Sequence, residues 1–278
     1  MIKPEDVTII IPHLGADEQQ ENVLDQCLES IKENSPAVIS YIVAKNDGNY
    51  PCKHEEIAPI RLLGQGQCKA VNAAVATTNT PWIMVSNDDM VYAPGWFENL
   101  TAPINEGWTN SCYSPVLVEP RPGAPTFEVQ PFGGAGGDFD KEAWEKFAKE
   151  RMQNRKLVMG SGFNLPFLIK RDLWDMVGGY DINYDPWGSN GDSDLEYKIK
   201  LAGTLPMQVW SCVVYHFSQT SGTFNPENDS YRFRNYAYFK EKWGFDRTDD
   251  GIWQASFKIP TKEEGRIFNP NWEDKYES

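Results

Sequence analysis

The sequence predicts an α/β protein in which a mostly parallel central sheet is flanked by helices and followed by a C-terminal helical extension. Three observations carry this. Val7 to Pro12 (VTIIIP) is a continuously apolar, β-branched run, the character of a strand covered on both faces. Helical and strand patterns then alternate, the order that right-handed parallel crossovers require. One strand, Trp82 to Val85, runs without a turn residue into Asn87, Asp88 and Asp89. Open α/β sheets bind ligands beyond the carboxyl ends of their strands, so acids at that edge are placed to hold a divalent cation. The competing reading is a polar turn that caps the strand.

Along the chain, Val23, Leu24, Cys27, Leu28 and Ile31 follow helical spacing, and Tyr41 to Ala44 is a short strand ending in the turn formers Lys45 to Asn49, which include Asp47. Gly64 to Ala76 reads as a glycine-rich approach to a helix. Its GxG is weak evidence for phosphate binding, since glycine serves turns generally. Pro94 opens a helix through Leu100, and Ser111 to Val118 is a further strand. Glu119 to Gly137 is crowded with Pro and Gly and leads to a helix over Asp140 to Met152, so residues 119–160 read as a substrate-facing flap, against a plain surface decoration.

Phe163 to Lys170 returns to strand character, and Gly178 and Gly179 stop a short helix from Arg171. Asp192 and Ser193 open the next helix, where exposed backbone N–H groups favour a carboxylate; a plain cap explains Asp192 as well as a catalytic role does. The strand Gln208 to Tyr215 ends in His216, either a structural histidine or a metal ligand. Asp229 to Trp243 interleaves aromatic and basic residues, as nucleic-acid binders do, yet Phe233, Tyr236, Phe239 and Trp243 recur at helical spacing and fit a packing face better. The expected organisation is a domain over 1–220 and a C-terminal helix and tail over 221–278 packed on it.

Composition narrows the function. The 278 residues carry 26 Lys plus Arg against 40 Asp plus Glu, and the net charge of −14 gives no general attraction to nucleic acid or anionic lipid. No apolar run is long enough for a membrane span, and Met1 to Thr8 lacks a signal-peptide pattern, so a soluble, cytoplasmic protein is expected. Alternative placements are the membrane periphery or, for a viral protein, the host cytoplasm. The five scattered cysteines, Cys27, Cys52, Cys68, Cys112 and Cys212, read as reduced thiols.

Taken in order, these pieces from Val7 to Trp243 resemble an inverting, GT-A-fold (Rossmann-like) glycosyltransferase of the family 2 type. The resemblance implies that Pro12 and His13 abut the nucleotide, that Asp47 holds its base, and that Lys69 and Asn72 lie along the donor. It makes Asn87, Asp88 and Asp89 a DxD-type motif, with Asn87 and Asp88 on the donor side and Asp89 on the metal. Gly178, Gly179, Tyr180 and Asp181 match a GG-aromatic-D turn. Asp192 matches the catalytic carboxylate, Asp194 follows it, and His216 matches a second metal ligand. Lys242, Trp243 and Gly244 match a common C-terminal segment. Asn87 for the usual Asp, Gly191 for the usual Glu, and the strand end Val43 to Asn46 depart from the pattern.

The implied activity is metal-dependent transfer, with Mn2+ or Mg2+, from a nucleoside-diphosphate sugar, UDP favoured, to a hydroxyl of a glycan or glycolipid. Trp144, Trp187 and Asp194 are the candidate acceptor contacts. The alternatives are a viral-type enzyme acting on modified nucleic-acid bases, which the charge disfavours, and a non-catalytic nucleotide-sugar or glycan-binding module.

Overall fold

The computed structural model describes residues 1–36, 39–45, 60–61, 66–121, 128–135, 137–153, 157, 159–218, 220 and 225–244. Its strands are β1 (Val7–His13), β2 (Ser40–Lys45), β3 (Ile60–Arg61), β4 (Trp82–Val85), β5 (Met90–Val91), β6 (Cys112–Glu119), β7 (Glu128–Val129), β8 (Met159–Ser161), β9 (Phe167–Lys170) and β10 (Met207–His216). Its helices are α1 (Glu18–Asn34), α2 (Gln67–Ala76), α3 (Trp96–Asn105), α4 (Lys141–Gln153), α5 (Arg171–Val177), α6 (Gly191–Leu201) and α7 (Asp229–Trp243). The described strands form one sheet in the order β3-β2-β1-β4-β9-β6-β10-β5, with β7 beside β6 and β8 beside β10.

Strand direction creates the functional edge. β1 is parallel to β2 and β4, and β6 is parallel to β10. Between these blocks β9 is antiparallel to both β4 and β6. Two reversals restore the original direction, so β1, β4, β6 and β10 all deliver their carboxyl ends to one edge. Pairing of β9 starts at Phe167, four residues later than its strand character begins, because Pro166 has no N–H to give a ladder.

Every residue of β1 is buried, as its unbroken apolar run requires. Ile9, Ile10 and Ile11 are fully enclosed, and burial of each side chain contributes roughly 1.5–3 kcal/mol. On β10 the two faces separate with the two-residue period of a strand: Val213 and Tyr215 join Trp144, Ala148 and Met152 of α4, whereas Cys212 and Val214 join the larger core. α1 begins at Glu18, earlier than its apolar stripe, because Asp17 accepts a hydrogen bond from the Gln20 N–H and caps it.

Two helices refine the expectations. Within the segment read as a substrate-facing flap, α4 is a packed helix: Trp144 is fully buried among Phe132, Phe147 and Tyr215, which seats the helix on β10. On α7 the buried face is Asn235, Phe239 and Trp243, while Phe233 is 62% exposed. A polar residue takes the inner position because its hydrogen bonds are satisfied there. Asn235 Nδ2 donates to the Tyr184 and Ser189 carbonyls at 2.8 and 3.0 Å.

Cys27, Cys68, Cys112 and Cys212 are buried free thiols. Cys52, Asp47, parts of 119–160 and the tail 245–278 lie outside the described residues. Among the described residues no helix is long and apolar enough to cross a membrane.

Candidate active site

At the carboxyl edge the acids that follow β4 are held by two histidines from other strands. His13, the last residue of β1, sits 2.6 Å by Nδ1 from Asp88 Oδ2 and 3.2 Å by Nε2 from Glu21 Oε1 of α1. Burial alone would lower its pKa, but the hydrogen bonds and charges of Asp88 and Glu21 push it up to about 9. Burial also draws Asp88 upward. With a second carboxylate on its other nitrogen, His13 is where the proton rests. His13 is buried and both its nitrogens are engaged, so it is withdrawn as a nucleotide contact; it fixes the Asp88 turn. Pro12 is buried beside it in β1. Asn87 is half-buried, and its carbonyl accepts from Ser86 Oγ at 2.9 Å.

Asp89 meets His216 at this edge. Asp89 Oδ1 is 3.2 Å from His216 Nε2, and Asp89 Oδ2 accepts from Thr220 Oγ1 at 2.7 Å. Behind the ring, His216 Nδ1 lies 2.6 Å from Glu119 Oε1 at the end of β6. A carboxylate on the far nitrogen is the usual way a metal-binding imidazole is oriented. Asp89 Oδ1 is buried and pairs with the His216 imidazole; burial alone would lower the His216 pKa, but the Asp89 and Glu119 carboxylates push it up to about 10. Among the described residues no cluster of three or more His, Cys, Asp or Glu forms a complete metal cage. Two protein ligands with the rest supplied by substrate oxygens is, however, a normal arrangement for Mg2+-type ions. Asp89 offers the carboxylate such an ion takes, and His216 would join it only on giving up its proton.

Topology places Asp192 on the same edge. α6 carries the chain back to the start of β10, so its N-terminus lies towards the strands' carboxyl ends; the same holds for α2, which leads into β4. The two helix starts touch. A Cβ built on Gly191 would lie 3.3 Å from Cys68 Sγ of α2, a tight contact that favours a small residue there. Tyr180 donates its hydroxyl to Asp192 Oδ1 at 2.7 Å. Asn72 does not reach outward with its amide: Oδ1 accepts from the Tyr180 N–H at 2.9 Å, and Nδ2 donates to the Tyr180 carbonyl at 2.8 Å. It is corrected from a donor contact to the residue that holds the Gly178–Asp181 turn.

Asp194 is corrected as well. It is fully buried, with Trp243 Nε1 donating at 2.9 Å and Lys242 Nζ at 2.7 Å, and so anchors α7 rather than touching an acceptor. Lys242 also reaches Asp181 Oδ2 at 2.6 Å. Burial raises Asp181, but the Lys242 and Asn183 hydrogen bonds hold it below the usual carboxylate range. Trp144, buried under α4, is withdrawn as an acceptor contact. Trp187 is half-buried in the turn before α6, and the Lys69 side chain is half-buried on α2. The start of α2 is closed by Asp185, whose carboxylate accepts from the Cys68 and Lys69 N–H groups at 2.8 and 3.1 Å. The glycine-rich approach thus leads to an internal cap, and Gly66, at φ +94, leaves room for it.

Glu21, Glu119 and Asp185 were missed in the sequence, and two of them had signals. Glu21 sits in register with Leu24, Leu28 and Ile31 on the buried stripe of α1. Glu119 ends β6 as Asn87–Asp89 follow β4, so the same strand-end logic applied one residue further finds it. Nothing local pairs Asp185 with a helix more than a hundred residues earlier.

A family model described as Glycosyl transferase family 2 matches residues 8–175, more than half of the chain. Among solved structures, one described as GalNAc-T7 with UDP, GalNAc and Mn2+ aligns at TM-score 0.63 and 16% identity, over 96% of this chain and 55% of that one. This chain thus spans about half of that protein's structure. S. aureus TarS (residues 1-349) aligns at TM-score 0.52 and 11% identity, over 87% of this chain and 73% of that one. The same TarS fragment in complex with UDP-GlcNAc aligns at TM-score 0.52 and 11% identity, over 94% of this chain and 78% of that one. At these identities the likeness is one of fold. Among curated proteins no sequence matches this chain.

Proposed function

The chain belongs to glycosyl transferase family 2, and from that premise we propose that it is a metal-dependent, inverting enzyme that moves a sugar from a UDP-sugar to a hydroxyl of a glycan or glycolipid. The observation that carries this is the meeting of Asp89 and His216 at the carboxyl edge. The nucleotide choice is supported by the solved structures of similar fold, which hold UDP with Mn2+ or UDP-GlcNAc. The family match ends at residue 175, so the roles of Asp192 and His216 rest on geometry.

Asp89 and His216 would hold Mn2+ or Mg2+, which when bound supplies a Lewis acid for the departing diphosphate. Asn87 and Lys69 lie on the donor side, and Asp88, locked by His13, keeps the turn in place for Asp89. A sugar hydroxyl is a weak nucleophile near neutrality and needs a base as it attacks. Asp192 takes that proton while the acceptor oxygen bonds to the anomeric carbon and the carbon–oxygen bond to the diphosphate breaks, its electrons leaving with the diphosphate. One displacement inverts the anomeric centre. Trp187, close in sequence to Asp192, stacks on the acceptor. The catalytic unit spans 1–220, α7 braces it from the extension 221–278, and the buried free thiols suit the reducing cytoplasm.

A thermal-shift panel of UDP-, GDP-, CDP- and dTDP-sugars, each with and without MnCl2, tests the reading. A donor at a hundred times its dissociation constant stabilises by about 2.7 kcal/mol. A Mn2+-dependent shift with a UDP-sugar is expected; no metal-dependent shift with any donor contradicts it.

A further inference from the structure

We propose that Tyr180 is a positioning residue for glycosyl transfer, its phenol fixing the orientation of the Asp192 carboxylate. This rests on Asp192 acting as the base. The Tyr180 hydroxyl donates to Asp192 Oδ1 at 2.7 Å, within the range of a charge-assisted bond. The ring cannot drift, because the turn that carries it is gripped from both sides. Asn72 of α2 bonds both the N–H and the carbonyl of Tyr180, and Lys198 of α6 donates to the Gly179 carbonyl. Trp174 packs edge-on against the phenol ring at 5.8 Å.

Gly179, at φ +64, permits this grip, since a Cβ there would stand 2.7 Å from Asn72 Oδ1. Tyr180 stays a donor: burial first, and then the Asp192 charge, hold its phenol well above the ordinary tyrosine range. The turn divides its labour, with Tyr180 serving the start of α6 and Asp181 serving α7 through Lys242. A phenylalanine would fill the same space in the turn, so the hydroxyl is what the base requires.

Tyr180→Phe isolates that hydroxyl. A hydrogen bond to a charged group favours the ionised form, so its loss moves the carboxylate midpoint upward by about one pH unit. In the full-length protein labelled with [13C]Asp at the carboxyl carbon, the Asp192 resonance is identified by its loss in Asp192→Asn, and its midpoint is read in wild type and Tyr180→Phe. UDP release from UDP-N-acetylglucosamine or UDP-N-acetylgalactosamine, with water as acceptor, is followed alongside. The expected result is an upward midpoint, an acid limb of kcat/KM displaced the same way, and a kcat lowered about tenfold with donor KM within twofold. An unchanged midpoint overturns the proposal, whatever the turnover. If Asp192→Asn keeps wild-type turnover, the base assignment itself has failed and the positioning role falls with it. If Asp192→Asn is inactive while Tyr180→Phe behaves as wild type, only the positioning role fails.

Discussion

His13 Nδ1 stands 2.6 Å from Asp88 Oδ2, joining the end of the first strand to the acidic turn after the fourth. With Glu21 on the other nitrogen, one buried imidazolium satisfies two carboxylates. Removing it leaves both acids short of a partner, and breaking a buried pair in this way costs about 3–5 kcal/mol. His13→Ala should therefore lose about that much stability in urea unfolding at pH 6.

The pH dependence follows from the same site. A histidine whose pKa rises to about 9 on folding contributes stability that is fully present below its unfolded value of about 6.5 and is lost as pH climbs through 9. The wild type should lose roughly 3 kcal/mol more than His13→Ala between pH 6.5 and 9. Parallel unfolding curves over that window would contradict the assignment.

Lys242 joins α7 to the Gly178–Asp181 turn and to α6 by bonding Asp181 and Asp194 together. Lys242→Ala should destabilise by about 1–3 kcal/mol, since Asp194 is fully buried but keeps the Trp243 Nε1 donor and Lys198 at 3.6 Å. Asp181 is depressed in the folded protein, so its share of the stability is present above about pH 4 and is lost as pH falls through the folded value. The variant's acid unfolding should accordingly be shallower than the wild type's.

Trp144 separates the packing role from the acceptor role. Its ring is fully enclosed by Phe132, Phe147 and Tyr215, so Trp144→Ala should cost about 3–5 kcal/mol while leaving donor KM unchanged. Trp187→Ala should do the reverse, weakening acceptor use with little loss of stability. Kinetics beside urea melts check both.

Asp89→Asn should abolish the Mn2+-dependent part of UDP binding while UDP alone binds as before, read by calorimetry with and without MnCl2. The substitution keeps the size of the side chain and removes its charge, so retention of the metal effect would displace Asp89 from the ligand set.

The sheet was legible because its strands are continuous apolar runs, and Val7 to Pro12 and Trp82 to Val85 admit little else. The reversed direction of β9 was not, because Phe167 to Lys170 would read the same either way; its neighbours decide it. Around the candidate site, positions at strand and helix ends were legible, and Asp89, Asp192 and His216 lie at the ends their apolar patterns predicted. Their supports were less so. Asn72 and His13 resemble donor contacts in sequence, but the turn and the acid that occupy them are distant along the chain. Phe233 and Asn235 exchanged their expected sides because hydrogen bonding to Tyr184 and Ser189 outweighed hydropathy at one position of α7.

The most direct test of the central claim is Asp192→Asn, assayed for UDP release from UDP-sugars with Mn2+ present and for UDP affinity. A general base contributes about 100- to 10,000-fold, so turnover should fall by that order while the dissociation constant for UDP stays within twofold of wild type. Turnover within a few-fold of wild type, with the variant folded and binding UDP, would contradict Asp192 as the base.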